Sequence, residues 1–400
     1  MKKWLVAIFL CLIVVVAAVI FVISRPSGSK PPLKIGIFYY VWYNPAWEFS
    51  WNTLKIVDQP VLGFYNSSDP EIIRHHLLSM TGLCIDFAVI SWLGNYDDYG
   101  RFTDNAAKQV FKIEDEMTFE NGEESMSKLK FIIMVEPFNK SGSSYNYEEI
   151  YEHIYSEFVE PYPSIYYNDS KPLICFFNNE NLTDNGNIPL DARFSKPVLV
   201  GSSDSVQWIY TDLNSSIDFS RVPYANETSV TPRFDTSHIQ GRPVSIIDPD
   251  LTQGIYDREW ENATHLLENG KINTILITSW NEFPERTAIE PHYDATATNK
   301  DPGYLYNKTK DHINQIRQAR ACAHFTVSVD PMRVVTVPNT VNGKTGLICR
   351  FIGTPKDLEL LGIAELLDMS KVFPCNSHLE TQSESVKSCA KNLGGAAVQR

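Results

Sequence analysis

Short, continuously apolar runs alternate along this chain with longer polar segments in which apolar residues recur every three or four positions. The clearest runs are KIGIFYYVWY (34–43), CIDFAVISWLG (84–94), LKFIIMVEPF (129–138), KPLICFFN (171–178), KPVLVGS (196–202) and NTILITSW (273–280). Runs of this length, rich in β-branched and aromatic residues, read as strands buried on both faces. QWIYTD (207–212) and RPVSIID (242–248) complete a set of eight. Between them, helical spacing predicts helices over DPEIIRHHLLSM (69–80), DNAAKQVFKIEDEM (104–117), YEEIYEHIYSEFV (147–159), REWENATHLLENG (258–270) and KTKDHINQIRQA (308–319). Asp69 and Asp104 are suited to N-caps, and Gly270 to a helix end. Strands alternating with helices predict a parallel α/β sheet. Eight of them over residues 34–320 predict a (β/α)8 TIM barrel. The rival, an open doubly wound sheet, lacks a glycine-rich phosphate loop after its first strand.

The flanks have a different texture. Lys2-Lys3 precede an apolar run from Trp4 to Ile23, which at about 20 residues is long enough to span a bilayer as a helix. Residues 1–25 therefore read as a transmembrane signal-anchor with its N-terminus in the cytoplasm; a cleaved signal is the alternative, although no small-x-small site follows the run. Residues 26–33 are a linker. Residues 321–375 alternate like half-exposed strands and read as a small, incomplete, Ig-like β-rich module; 376–400 are polar and irregular and read as a disordered tail.

Net charge is −13, with no basic cluster, which excludes a nucleic-acid partner. Asn-x-Ser/Thr triplets begin at Asn66, Asn139, Asn168, Asn181, Asn214, Asn226, Asn262 and Asn307. Together with the anchor they predict a glycosylated, single-pass membrane protein whose main domain is extracellular or lumenal. Cys84 and Cys175 sit in apolar runs and read as buried thiols. Cys322, Cys349, Cys375 and Cys389 are candidates for disulfides of undetermined pairing. His75-His76 reads as a solvated helix face. His238 and His292 have no acids at ligand spacing, so no metal site is predicted, and no cofactor motif is present.

A barrel places its active site at the C-terminal ends of its strands. Those ends are where polar and aromatic residues gather: Tyr39, Tyr40, Trp42 and Tyr43 after the first run, Trp92 after the second and Glu136 after the third. Asn178 follows the fourth, Tyr210 a later one, and Trp280, Asn281 and Glu282 the last. Aromatic faces beside carboxylates and amides suit a sugar, whose C–H faces stack while its hydroxyls hydrogen-bond. Paired carboxyl groups are the usual equipment for glycoside hydrolysis. Glu282 and Glu285, on either side of Phe283-Pro284, are the leading pair; Glu290 reads as a supporting acid.

The same residues carry a resemblance. IGIFYYVWYNP (35–45), VISW (89–92), TDN (103–105), VEPF (135–138), IYT (209–211), FDTS (234–237), ITSWNEFPERTAIE (277–290) and PGYLYNKTKDHI (302–313) resemble, in order, the motifs of glycoside hydrolase family 99, the endo-α-1,2-mannosidases. The resemblance implies a (β/α)8 barrel acting with retention on α-mannosides, without a metal or cofactor. It also implies that Glu282 removes the proton of the sugar's own 2-hydroxyl while Glu285 serves as general acid and then base. Tyr39, Tyr40, Trp42, Tyr43, Trp92, Glu136, Asn178, Tyr210, Asp235, Trp280 and Asn281 are the expected substrate contacts. The chain departs from the family pattern at Phe283-Pro284, which stand where it has Trp-His, and at Arg286, where it has Gly. It departs also at NPAWEFSW (44–51), in place of an Asn-Pro-x-x-Asp-Gly-like segment, and at DPDLTQGIYDREW (248–260), which lacks the family's arginines. A glycan-binding or structural surface glycoprotein without catalysis is the alternative these departures raise.

Overall fold

The computed structural model describes residues 32–47, 51, 56–120, 129–137, 146–168, 170–177, 188–201, 208–209 and 226–323. Eight parallel strands form one sheet: β1 (Lys34–Tyr40), β2 (Phe87–Trp92), β3 (Lys130–Val135), β4 (Ile174–Phe177), β5 (Val198–Gly201), β6 (Trp208–Ile209), β7 (Glu227–Val230) and β8 (Thr274–Ile277). Each pairs with its neighbour in chain order except β6 with β7, and β8 returns to pair with β1 in the register Ile35 to Ile275 and Ile37 to Ile277. β6 and β7 lie against each other at the seam. This single winding is barrel topology, as the sequence predicts.

Side-chain alternation divides the strands between two cores. Phe38, Tyr40, Phe87, Val89, Ile132, Met134, Cys175, Val200 and Leu276 fill the interior. Ile35, Ile37, Ile90, Ile133, Phe176, Ile275 and Ile277 face a second, larger core that includes residues of the helices. Burial on both faces is why these strands are unbroken apolar runs. Gly36 is the exception that packing demands: a Cβ there would lie 2.4 Å from the Phe87 ring and 2.8 Å from Leu276.

The described helices are α1 (Pro70–Gly82), α2 (Asp98–Glu120), α3 (Tyr147–Ile154, continued by a π-turn over Tyr155–Val159), α4 (Ile255–Glu268) and α5 (Tyr304–Ala323). Asp69 caps α1, accepting from the Glu71 amide at 2.9 Å. Gly270, at φ 65°, follows α4 and donates to the Leu267 carbonyl, the left-handed stop expected of glycine.

Several expectations change. α2 begins at Asp98, so Asp104 lies inside the helix, where it accepts from the Trp92 indole at 2.9 Å and pairs with His153 and Lys108. RPVSIID is not a barrel strand: Ile246–Ile247 pair antiparallel with Phe234–Asp235, and Val244 and Ile246 are exposed. The strand at that place in the barrel is ETSV (227–230), whose alternating polar residues conceal it from an apolar scan. His76 is fully buried rather than solvated, and Cys84 is disulfide-bonded rather than a free thiol. The predicted anchor and tail lie outside the described residues, as does the β-rich module from residue 324 onward; residues 321–323, expected to begin that module, are the end of α5. Among the described residues, no helix is long and apolar enough to cross a membrane.

Candidate active site

The segment after β8 is a closed loop. The Ser279 amide donates to the Thr287 carbonyl at 3.0 Å, and the Thr287 amide returns to the Glu282 carbonyl at 3.1 Å. At its tip, Arg286 N–H donates to the Phe283 carbonyl at 3.1 Å. That bond makes Phe283-Pro284-Glu285-Arg286 a β-turn with proline at its second position, which suits proline's fixed φ. Phe283 is fully buried beside Tyr43, Trp51 and His292. The turn is thus stapled into the protein by its aromatic residue, and its two glutamates stand on either side of that staple.

Glu282 is 3% exposed, and the Glu285 amide donates to its carboxyl group. The other oxygen, Oε2, is buried without a hydrogen-bond partner. Glu136, at the end of β3, accepts from the Ser91 hydroxyl of β2 at 3.0 Å. Glu285 forms an ion pair with Arg242, which reaches in from the turn between the Phe234–Asp235 and Ile246–Ile247 strands.

These three acids interact electrostatically, and the environment of Glu136 and Glu282 favours protons. Burial is the main cause pushing Glu136 up to about 7, with the Glu285 charge adding to it; Ser91 and Arg242 work the other way. Burial also holds Glu282 well above the usual carboxylate range, reinforced by Glu285 and Glu136 and opposed by Arg242. Two tyrosines border the cluster. Burial raises Tyr43, then the charge of Glu282; burial raises Tyr99 on α2, then Glu282 and Glu136. Trp47 lies 5.4 Å from the Tyr99 ring, centroid to centroid.

The predicted site residues thus separate into groups. Glu136, Glu282, Glu285 and Tyr43 come together; Tyr40 lies in the barrel interior with its ring 4.6 Å from half-buried Trp42. Tyr39, Trp92 and Trp280 belong instead to the larger core shared with the helices. Tyr39 hydrogen-bonds His76 at 3.0 Å, and Trp280 packs on the same imidazole. Asn281 is a clamp: its amide group bonds both the N–H and the C=O of Tyr40, tying the loop to β1. It also accepts a Tyr43 hydroxyl on its carbonyl at 2.6 Å and donates to Tyr65, which donates to Glu290. Glu290 completes this buried network by bonding His76. Asn178 and Tyr210 lie outside the described residues.

Asp235 belongs to a second charged cluster behind the turn. Arg286 makes two bonds to Asp58, at 2.8 and 3.0 Å, and others to Asp235 and Asp294. Arg233 joins Asp58, Asp294, His292 and the Arg286 carbonyl. Asp58, His292 and Asp294 come close enough to resemble a metal triad. The guanidinium groups of Arg233 and Arg286 already engage those same atoms, so the donor set fits an ion-pair network and not a cation site. Arg286 holds φ 58°, a left-handed conformation that costs a non-glycine residue roughly 1–2 kcal/mol. The family pattern carries glycine there; here the ion pairs hold an arginine in place.

Sequence reasoning missed Arg242, Tyr99 and Ser91. Arg242 opens the run that reads as a barrel strand, Tyr99 sits in polar, loop-like sequence that carries no periodic signal, and Ser91 passes for an ordinary strand residue. Only the fold brings them to the acids.

Compared with solved structures, the chain resembles the glycoside hydrolase family 99 endo-alpha-mannosidase from Bacteroides thetaiotaomicron in complex with Bis-Tris propane. The match has 20% identity and a TM-score of 0.51 and covers 72% of this chain and 98% of that one. A second structure of that organism's enzyme matches at 19% identity and TM-score 0.49, over 72% and 98% of the two chains. A glycoside hydrolase-like protein matches at 14% and 0.47, over 70% and 94%. No protein-family profile matches the chain, and no curated protein matches it in sequence. What the chain shares with the first of these structures, over nearly all of that structure's length, is the fold.

Proposed function

We propose that this chain is a retaining glycoside hydrolase acting on α-mannosides or related glycans, with Glu282 and Glu285 as its working acids. The observation that carries this reading is the convergence of Glu136, Glu282 and Glu285 from two strand ends, with Glu282 Oε2 buried and lacking a protein partner. A buried carboxyl oxygen in that state calls for a hydroxyl from outside the protein, and a sugar supplies hydroxyls beside its anomeric carbon. Hydrolysis needs one acid holding a proton and one without it. Burial keeps the proton on Glu282 in the ligand-free cluster, while Arg242 pairs with the Glu285 carboxylate.

The roles implied by the family resemblance then require one proton to pass from Glu282 to Glu285 as the sugar enters. The 2-oxygen attacks C1, its proton goes to Glu282, and Glu285 protonates the departing oxygen. In the second step water attacks C1, giving its proton to Glu285, while the C1–O2 bond formed in the first step breaks and Glu282 returns a proton to the 2-oxygen. The fold shared with an endo-alpha-mannosidase supports this substrate class. The apolar N-terminal run, the Asn-x-Ser/Thr triplets and the disulfide at Cys84 support a membrane-anchored protein facing an oxidising compartment.

The test is turnover of aryl and oligosaccharide α-mannosides by the full chain and by Glu282→Gln and Glu285→Gln. Equal turnover by all three removes both acids from the mechanism. An activated aryl leaving group should rescue the variant lacking the general acid and not the variant lacking the base. The Arg242–Glu285 pair favours one second reading, a glycan-binding protein without catalysis; it predicts glycan retention with no product released after long incubation.

A further inference from the structure

Trp47 belongs to NPAWEFSW (44–51), one of the places where the chain leaves the family pattern. Asn44-Pro45-Ala46-Trp47 is a β-turn: the Trp47 amide donates to the Asn44 carbonyl at 3.0 Å, and the Ala46 amide donates to the Asn44 side chain at 3.0 Å. Asparagine at the first position and proline at the second suit that turn. It brings the Trp47 indole onto the start of α2, 5.4 Å from the Tyr99 ring and 4.8 Å from that of Phe102, centroid to centroid. Tyr99 and Phe102, three residues apart, share one face of that helix. We propose that Trp47, Phe102 and Tyr99 form a sugar subsite, an aromatic surface that holds a second hexose ring of the glycan next to the ring at the acids.

The start of α2 is fixed beside the acids. The Asp97 side chain accepts from the Gly100 amide at 2.6 Å, and a Cβ on Gly100 would lie 2.9 Å from the Leu93 carbonyl oxygen, so the helix begins pressed against the exit of β2. Ser91 of that strand holds the Glu136 carboxyl group. Tyr99 joins the two groups: its ring meets Trp47, and the charges of Glu282 and Glu136 act on its hydroxyl. The Trp47 ring is tilted at 45° to Tyr99 and 58° to Phe102, and all three side chains are half-buried, so each keeps part of its surface open to solvent. Tyr43 and Trp51, which seal the core nearby, differ: their rings stack at 4.0 Å and 19°, and both are buried. Asp98 and Arg101, on the same turns of α2 as Tyr99 and Phe102, are exposed. Open aromatic surface beside charged hydrogen-bonding groups matches a hexose, whose C–H face packs on a ring while its hydroxyls meet the polar rim.

The inference rests on the hydrolase reading, and its test separates the two. Sulfur-linked α-mannobiose and its one-ring counterpart, methyl 1-thio-α-mannoside, resist cleavage, so calorimetric titration of the full chain reads binding alone. The two-ring sugar should bind about tenfold more tightly, within the range of one added aromatic contact. Trp47→Leu keeps an apolar side chain against Phe102 but no ring, and should erase that advantage; Trp47→Phe should restore most of it. Thermal melting confirms that both variants fold. A second measurement needs no variant: in hydroxyl-radical footprinting of the unaltered chain, the two-ring sugar should protect Trp47 and the one-ring sugar should not. An advantage that survives Trp47→Leu overturns the subsite, as does a Trp47 left unprotected or the failure of both sugars to bind. Turnover of aryl α-mannosides with no two-ring advantage overturns the subsite and leaves the hydrolase. A two-ring advantage lost in Trp47→Leu, with no turnover by any form, upholds the subsite and removes the hydrolase.

Discussion

Two charged clusters lie on opposite sides of the turn Phe283–Arg286, and they are built in opposite ways. Behind the turn, Arg233 and Arg286 meet Asp58, Asp235 and Asp294, and both guanidinium groups are fully buried. Burial alone would raise Asp58, yet the Arg286 bonds and the Arg233 charge outweigh it and hold this acid below its ordinary range. In front of the turn, three glutamates share one half-exposed arginine, and burial wins: Glu136 and Glu282 are pushed upward. Compensated charge makes a scaffold, and under-compensated charge makes a reservoir of protons. A single step along the loop, from Glu285 to Arg286, separates the regimes.

The contrast predicts what each side loses when altered. The largest effect is expected in front: Glu282→Gln or Glu285→Gln should lower kcat on α-mannosides by about 10²–10⁴, with folding intact by circular dichroism. Behind the turn, Asp58→Ala strands two buried cations and should cost about 3–5 kcal/mol in denaturant unfolding, comparable in energy but expressed as stability. Arg286→Gly relieves the left-handed backbone yet leaves Asp58 short of a partner, so its net cost should be smaller than that of Asp58→Ala by roughly 1–2 kcal/mol.

Glu136→Gln should reverse the usual sign. Between the ordinary glutamate range and about 7, the folded chain keeps a proton on Glu136 that the unfolded chain has released. Stability therefore falls as pH rises through that window, and the amide abolishes the loss. The variant should gain up to about 3 kcal/mol at neutral pH, with the gain vanishing in acid. The smallest effect is expected for Tyr65→Phe, which deletes one hydroxyl between Asn281 and Glu290 and should cost about 1 kcal/mol in unfolding. A larger drop in activity than in stability there would show that the Asn281 clamp tunes the acids and does more than hold the loop.

The barrel was legible because its strands are buried twice over, which makes them continuous apolar runs. β7 was not, since ETSV carries Glu227 into a buried position and breaks the apolar pattern. The glutamates after β3 and β8 could be read from their place at strand ends, and so could the aromatic residues beside them. Which way an aromatic faces could not: Tyr39 and Tyr40 are adjacent, and a single step of the pleat sends one to the outer core and the other to the interior. The charge network was hidden for a different reason. Asp58, Arg233 and His292 are far apart in sequence and meet only through closure of the barrel.

Arg286 also bears on how transferable this loop is. A glycine at that position would make the turn self-contained, a segment whose shape depends on its own backbone. An arginine anchored to Asp58 and Asp294 makes the turn's shape a property of three separate loops. Transplanting residues 278–290 into another barrel would therefore carry the glutamates but leave their support behind. A working graft would need Asp58, Arg233 and Asp294 to travel with it.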